Sequence, residues 1–189
     1  MIRNIEHYVK KYKMLDNDFC NQTLKQLENA DWSEHTFYNN TIEGGRVHTR
    51  SGNQELEISH HIVPNKKIIM EKLWHHIKAY ITEDINFSWF DGWKNFSGVR
   101  FNRYLQNKKM AEHCDHISSL FPEKIGVPIL SCLGVLNDDY EGGEFIMFEN
   151  QKIEMTQGDL IIFPSNFLYP HRVEPVTRGT RYSYISWVW

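Results

Sequence analysis

TRYSYISWVW, residues 180–189, places Arg181, Ser183, Ile185 and Trp187 at every second position. A period of two sends alternate side chains to one face of an extended chain, so this stretch is a strand with an apolar, aromatic face that also carries a guanidinium and a hydroxyl. Working outward, four more segments share its character: GDLIIFPS (158–165), GGEFIMFE (142–149), VPILSCLGVL (127–136) and GVRFNRYLQ (98–106). Each is short, β-branched and aromatic, and Gly, Pro, Asn or Asp separates one from the next. Strands at this spacing with no helices between them define an antiparallel sandwich or barrel. We therefore expect a jelly-roll-like core over residues 96–189, in which the strand ending at Trp189 is structural and closes the domain.

Residues 1–95 read differently. Asp16 or Asp18 caps a helix in which Phe19, Thr23, Leu24, Leu27 and Ala30 recur at helical spacing. After Pro64 a clearer helix puts Ile69, Leu73, Ile77, Tyr80 and Ile81 on one stripe, with Lys66, Lys67, Glu71 and Lys78 elsewhere. Residues 39–61, polar and carrying Gly44, Gly45 and Gly52, read as a long loop or irregular hairpin. The expected organisation is one domain over 1–189, with helical and loop support from 1–95 packed on the β core of 96–189.

Composition sets bounds. The 189 residues carry 21 Lys+Arg against 24 Asp+Glu, a net charge of -3, which gives no basic footprint for nucleic acid. Three cysteines, Cys20, Cys114 and Cys132, are an odd number with no C-x-x-C pair, which argues against a disulfide framework or a thiolate zinc site and for a reducing compartment. The longest apolar run, Val127 to Leu136, is broken by Pro128, Ser131 and Gly134 and is too short to span a bilayer. The expectation is a cytoplasmic protein without a membrane segment.

The chemistry centres on His113-Cys114-Asp115. In extended chain, i and i+2 share a face, so the His113 imidazole and the Asp115 carboxylate converge while Cys114 turns away. A third candidate ligand, His171, follows 56 residues after Asp115. Two imidazoles and one carboxylate make the facial triad of non-heme Fe(II) oxygenases, with open positions for cosubstrate and dioxygen. H-x-D also occurs by chance on loops, so the triplet needs company. Ten residues beyond His171 stands Arg181, with Ser183 beside it. A buried guanidinium requires an anion, and a carboxylate matches its planar fork.

With these residues in place, the chain resembles the Fe(II)- and 2-oxoglutarate-dependent dioxygenases, and among them the prolyl 4-hydroxylase-like branch. The resemblance covers residues 98–189 and rests on RYLQNKKMAEHCDH, VLNDDYEGGEF, QKIEMTQGDLIIFPS and YPHRVEPVTRGTRYSYISWVW in that order. It implies an antiparallel double-stranded β-helix, a jelly roll with flanking helices. It further implies that His113, Asp115 and His171 bind Fe(II) and that Arg181 holds the distal carboxylate of 2-oxoglutarate. Tyr104 matches a family tyrosine that hydrogen-bonds the cosubstrate, Ser183 assists Arg181, and Trp187 walls the pocket; a core aromatic or a plain strand hydroxyl is the alternative for these three. The implied reaction consumes O2, decarboxylates 2-oxoglutarate to succinate, and hydroxylates a C–H bond. The leading substrate is a prolyl residue in a peptide or protein, with ascorbate as a possible auxiliary. A small molecule or another side chain is the alternative substrate, and a metal-binding jelly-roll module without turnover is the alternative class.

Some residues set this chain apart. Collagen-type prolyl hydroxylases commonly use Lys where Arg181 stands, and the oxygen-sensing type has a tyrosine where this chain has Leu133 or Val135. HTRSGNQEL (48–56), with Arg50-Ser51-Gly52, resembles a stretch ahead of the barrel in prolyl 4-hydroxylases, near a loop that folds over peptide. His116 reads as a supporting or solvent-facing residue, and the pairs His60-His61 and His75-His76 as surface or packing histidines. Gly142-Gly143 reads as a turn, and Cys114 and Cys132 as buried thiols.

Overall fold

A computed structural model describes residues 4–38, 47–48, 54–86, 95–116 and 127–189. A 3-10 turn at Ile5–Tyr8 leads into β1 (Lys10–Lys13) and α1 (Asn17–Leu27). The short strands β2 (Ser33–Glu34), β3 (Phe37–Tyr38), β4 (Val47–His48) and β5 (Glu57–Ser59) precede α2 (Asn65–Ala79), which runs on as a π turn, Tyr80–Ile85. The second half is all strand: β6 (Arg100–Tyr104), β7 (Met110–His113), β8 (Leu130–Val135), β9 (Glu141–Gly142) and β10 (Phe145–Met147). β11 (Gln151–Lys152), β12 (Asp159–Pro164), β13 (His171–Val173), β14 (Val176–Arg178) and β15 (Arg181–Val188) complete it. Arg50-Ser51-Gly52 lies outside the described residues.

Two sheets face each other. The larger has the order β1-β12-β8-β15-β6-β5-β2 and the smaller β11-β10-β13-β7, while β14-β9 and β3-β4 form two-stranded ribbons. All named strand pairs are antiparallel. This is the jelly roll expected from the alternation.

Alternation also divides the core. From β12, Leu160 and Ile162 pack with Tyr184 and Val188 of β15 against Ile69, Leu73 and Ile77 of α2. The intervening Ile161, Phe163, Ile185 and Trp187 enter a second cluster with Met110, Phe145 and Val173 of the small sheet. One side of the large sheet is thus the helix-packing face and the other lines the cleft between sheets. No helix among the described residues is long and apolar enough to cross a membrane.

The helices form for the reasons the sequence offers. Asp16 caps α1 by accepting the Phe19 N–H at 2.8 Å. α2 lacks a side-chain cap of its own, but Gln26 Oε1 accepts the Asn65 N–H at 3.0 Å, and Asn65 Nδ2 donates to Thr23 Oγ1 at 2.9 Å. These bonds satisfy polar groups that would otherwise be buried unpaired, and they join the two helices. The π turn keeps Tyr80, Ile81 and Ile85 buried together, with the Tyr80 hydroxyl donating to the Tyr8 carbonyl at 2.7 Å.

The first part of the chain is less helical than its sequence led us to expect. Lys10–Lys13 forms the edge strand β1, paired with β12 from Lys10↔Ile162 to Lys13↔Asp159. Within the expected loop 39–61, Glu57–Ser59 pairs with β6. Neither segment alternates polar and apolar residues clearly, so main-chain pairing with a strand formed elsewhere decides their state.

Gly134 of β8 faces Tyr184 across the sheet, and a Cβ there would lie 2.0 Å from the Tyr184 ring. Tyr184 is fully buried and cannot swing into solvent. Gly134→Ala should therefore destabilise the protein by about 1–3 kcal/mol through overpacking, read as a lower urea midpoint at unchanged slope. An unchanged midpoint would show that the sheet yields at this position.

Candidate metal centre

The centre is built by one strand pair of the small sheet. His113, at the end of β7, is the direct cross-strand partner of His171, at the start of β13. Their rings lie 4.3 Å apart between centroids. Asp115, two residues past His113, folds back so that Oδ1 is 3.4 Å from His113 Nε2 and Oδ2 is 3.9 Å from His171 Nε2. One ligand atom from each of the three lies within 4.8 Å of the others.

Backbone carbonyls set the tautomers. His113 Nδ1 donates to the Ala111 carbonyl at 2.8 Å and His171 Nδ1 to the Tyr169 carbonyl at 3.1 Å. Each proton therefore sits on Nδ1, and both Nε2 lone pairs face the carboxylate. Asp115 is fixed in turn by Ser131, whose hydroxyl donates to Oδ2 at 2.6 Å and lies 2.8 Å from the Ser165 hydroxyl. Phe163 and Phe145 pack on the His171 ring, at 5.1 and 5.4 Å between centroids, and Phe37 on that of His113, at 5.7 Å.

Electrostatics keep the set in its ligating form. Burial alone raises the Asp115 carboxyl, but its close contacts with the His113 and His171 imidazoles and the hydrogen bond from the Ser131 hydroxyl outweigh it and hold it well below the usual carboxylate range. Burial, helped by His113, pushes His171 down to about 4 against the pull of Asp115. Burial, with Arg100 and His113, likewise pushes the nearby His35 down to about 3. An unfolded histidine titrates near 6.5, so between about pH 6.5 and 4 the unfolded chain binds protons that these two folded imidazoles refuse. The metal-free protein should accordingly lose roughly 1.4 kcal/mol per imidazole for each pH unit below that point. A melting temperature that stays flat from neutrality to pH about 5 would mean that neither imidazole is depressed.

The facing strands bring the other expected residues to the same cleft. Arg181 of β15 pairs with Tyr104 of β6 in register. Arg181 is 1% exposed and its guanidinium lies 4.9 Å from the Tyr104 ring centroid, with Nη1 donating to Ser183 Oγ at 3.1 Å. Its Nε is buried with no hydrogen-bond partner, and among the described residues no carboxylate forms an ion pair with it. Gly143, at φ +65°, passes close by; a Cβ there would lie 3.1 Å from Arg181 Cδ. Burial raises the Tyr104 phenol, against Arg181 and Arg100, so it stays protonated and able to donate. Trp187 is buried on the same face.

A cavity of about 30 Å³ joins His113, Asp115 and His171 to Tyr104, Arg100 and Trp187. A larger hollow of about 430 Å³, beside Gly142 and Gly143, reaches Arg181 but none of the three candidate ligands. The donors, two imidazole Nε2 atoms and an ionised carboxylate, fit a borderline divalent ion such as Fe(II), and the cavity of about 30 Å³ lies beside them.

His116 is exposed, as are His60 and His75, and His76 packs on Tyr12 with ring centroids 5.2 Å apart. Gly142 and Gly143 both have positive φ, the turn geometry expected of them. Cys132 is buried, whereas Cys114 is half-buried, because β7 ends at His113 and the strand does not carry Cys114 into the sheet. Ser131, Ser165, Arg100 and Asn102 were not anticipated. Ser131 and Arg100 occupy cleft-facing positions in their strands, which is the signal that marks them.

Residues 99–189 match the model of the 2OG-Fe(II) oxygenase superfamily. A PKHD-type hydroxylase of Xylella fastidiosa (strain M12) is 42% identical over 100 residues, covering 47% of this chain and 43% of the relative. One from Delftia acidovorans is 37% identical over 95 residues, covering 47% and 41%. The chain thus spans less than half the length of the curated relatives it matches. In fold, a prolyl hydroxylase from Trichoplax adhaerens, solved with a hypoxia inducible factor peptide fragment, has a TM-score of 0.73 at 16% identity, covering 97% of this chain and 84% of that one. A Pseudomonas putida prolyl-4-hydroxylase has a TM-score of 0.65 at 16% identity, covering 96% and 92%. The matched segment contains all three candidate ligands and Arg181. The chain as a whole is prolyl 4-hydroxylase-like in fold.

Proposed function

We propose that this protein is an Fe(II)- and 2-oxoglutarate-dependent hydroxylase acting on a prolyl residue of a peptide or protein. The observation that carries the reading is the pairing of two features across one cleft: the His113, Asp115 and His171 cluster, and the buried Arg181, whose Nε lacks a partner. His113, Asp115 and His171 would hold Fe(II), which supplies the activation of dioxygen when 2-oxoglutarate is bound beside it. Arg181 neutralises and orients the far carboxylate of that cosubstrate, since among the described residues no carboxylate pairs with its buried guanidinium. Ser183 fixes the guanidinium and Tyr104 offers its proton from the neighbouring strand. Ser131 locks the Asp115 carboxylate, so the site is ordered before metal arrives. Phe145, Phe163 and Trp187 exclude water from the reacting centre. The prolyl preference is supported by the prolyl hydroxylase neighbours and the hydroxylase relatives. The free thiols Cys20, Cys114 and Cys132 favour a reducing, cytoplasmic setting.

Anaerobic titration with Fe(II) and then 2-oxoglutarate tests the cofactor chemistry through the visible metal-to-ligand charge-transfer band. Aerobic turnover with proline-containing peptides then tests the substrate, by succinate release and gain of one oxygen atom in the peptide. Iron bound without a band would overturn the dioxygenase assignment. A band with 2-oxoglutarate turnover that never modifies proline would leave the oxygenase chemistry standing and remove the prolyl substrate.

A further inference from the structure

The cleft holds a second guanidinium, which the cosubstrate does not account for. Arg100 opens β6 and shares the cleft face with Asn102 and Tyr104. Its guanidinium lies 5.0 Å from the Trp187 ring centroid, and Nε donates to Asn102 Oδ1 at 3.1 Å. Arg100 lines the same small cavity as His113, Asp115 and His171.

The arginines of the sheets fall into two groups. Arg103, Arg172 and Arg178 each pair with a glutamate: Glu57 at 2.8 Å, Glu174 at 2.7 Å, and Glu141. Arg100 and Arg181, the two on the cleft face, pair with no carboxylate among the described residues. Partial burial makes an uncompensated guanidinium costly, and Arg does not escape the cost by losing its proton. Burial does pull the Arg100 guanidinium below its ordinary value, with Tyr104 and Asp115 drawing it back up.

A single diacid at the metal does not serve both cations. Arg181 faces Tyr104, whereas Arg100 faces Ile185, four residues further along β15 and about 13 Å of strand away. From there the Arg100 head extends to Trp187, further still from Arg181. With 2-oxoglutarate held at the Arg181 end, the Arg100 end is left to the molecule being oxidised.

We propose that Arg100, braced by Asn102 and stacked on Trp187, is a specificity residue that binds a carboxylate of the substrate next to the C–H bond to be hydroxylated. Nε is committed to Asn102, so the two amino nitrogens present the fork that a carboxylate accepts in bidentate fashion. The inference rests on the reading of His113, Asp115 and His171 as the iron site, and it adds an acidic group to the substrate. That carboxylate belongs either to an acidic residue beside the target proline or to the proline's own free carboxyl group.

The test uses matched acid and amide probes on the intact protein loaded with Fe(II) and 2-oxoglutarate. The probes are proline peptides with Glu or Gln at each flanking position, and L-proline against L-prolinamide. Anaerobic binding is read from the perturbation of the charge-transfer band, and aerobic modification from mass. The acid member of at least one pair should bind about 30-fold or more tightly than its amide. Arg100→Gln should erase that preference while holding 2-oxoglutarate affinity within about twofold, because Arg181 carries that contact. Arg100→Lys should keep part of the preference, since it retains charge without the fork, and it serves if the Gln variant fails to fold. A preference in the peptides identifies a neighbouring acidic residue as the source, and one in free proline identifies the α-carboxylate. Equal binding of acid and amide by the parent, or binding of neither while 2-oxoglutarate is held, overturns the proposal. Absence of the charge-transfer band in the parent overturns the iron-site reading instead.

Discussion

His171→Ala should lower Fe(II) affinity by more than about 100-fold and abolish 2-oxoglutarate-dependent oxygen uptake. Removing a residue that only orients a metal ligand already costs about 10–100-fold, and His171 is a candidate ligand itself. Its place in the fold makes the effect local. It begins a strand of the small sheet, pairs with His113, and takes its ring orientation from the Tyr169 carbonyl. Alanine leaves β13 its backbone pairing, so the variant should fold with a near-parent circular dichroism spectrum while failing to hold iron in equilibrium dialysis. His113→Ala should behave alike. Retention of iron in both variants would mean that the metal lies elsewhere, and the assignment of this cluster would fall.

Arg181→Ala should weaken 2-oxoglutarate binding by about 30-fold to several thousand-fold, the range for breaking a desolvated charge pair on one side. Iron affinity should stay near the parent's, because Arg181 stands on the sheet facing the ligands and its side chain hydrogen-bonds to Ser183 and to none of the candidate ligands. The separation of the two readouts distinguishes a cosubstrate anchor from a structural ion. The cosubstrate-free protein should not be destabilised by the loss of Arg181, since the substitution removes a buried cation that has no carboxylate partner among the described residues. A large drop in folding stability with unchanged cosubstrate affinity would assign Arg181 to the core instead. Arg181→Lys should recover part of the affinity, as a point charge replaces a fork.

Both predictions concern residues that can be found by reading the chain alone. The H-x-D spacing is enough to keep His113 and Asp115 near each other, although the strand ends at His113 and a bend at Asp115, not the pleat, turns the carboxylate back to the imidazole. Alternation through β15 puts Arg181 and Ser183 on one face, and the apolar stripe of α2 defines its buried side. These are local consequences of backbone geometry, so no knowledge of distant contacts is required.

Other features depend on what arrives from far along the chain. Lys10–Lys13 has no strand signature of its own, and it is a strand because β12 offers an unpaired edge. Ser131 looks like an interruption in an apolar run until the fold brings it to Asp115, where its hydroxyl is the group that fixes the carboxylate. Arg100 is the sharpest case. Its position in GVRFNRYLQ settles which face it occupies, but not whether an acid meets it there, since every arginine in the sequence has glutamates and aspartates to choose from. The sequence by itself determined the β character of residues 96–189 and the face on which Arg181 stands, because each follows from the period-two alternation within individual strands. The tertiary structure alone decided that His171 closes the metal cluster at 4.8 Å or less. It alone decided that Ser131 locks Asp115, and that Arg181 and Arg100 stand on the cleft face without a carboxylate partner among the described residues, because pairing and desolvation are properties of contacts between elements and not of any one of them.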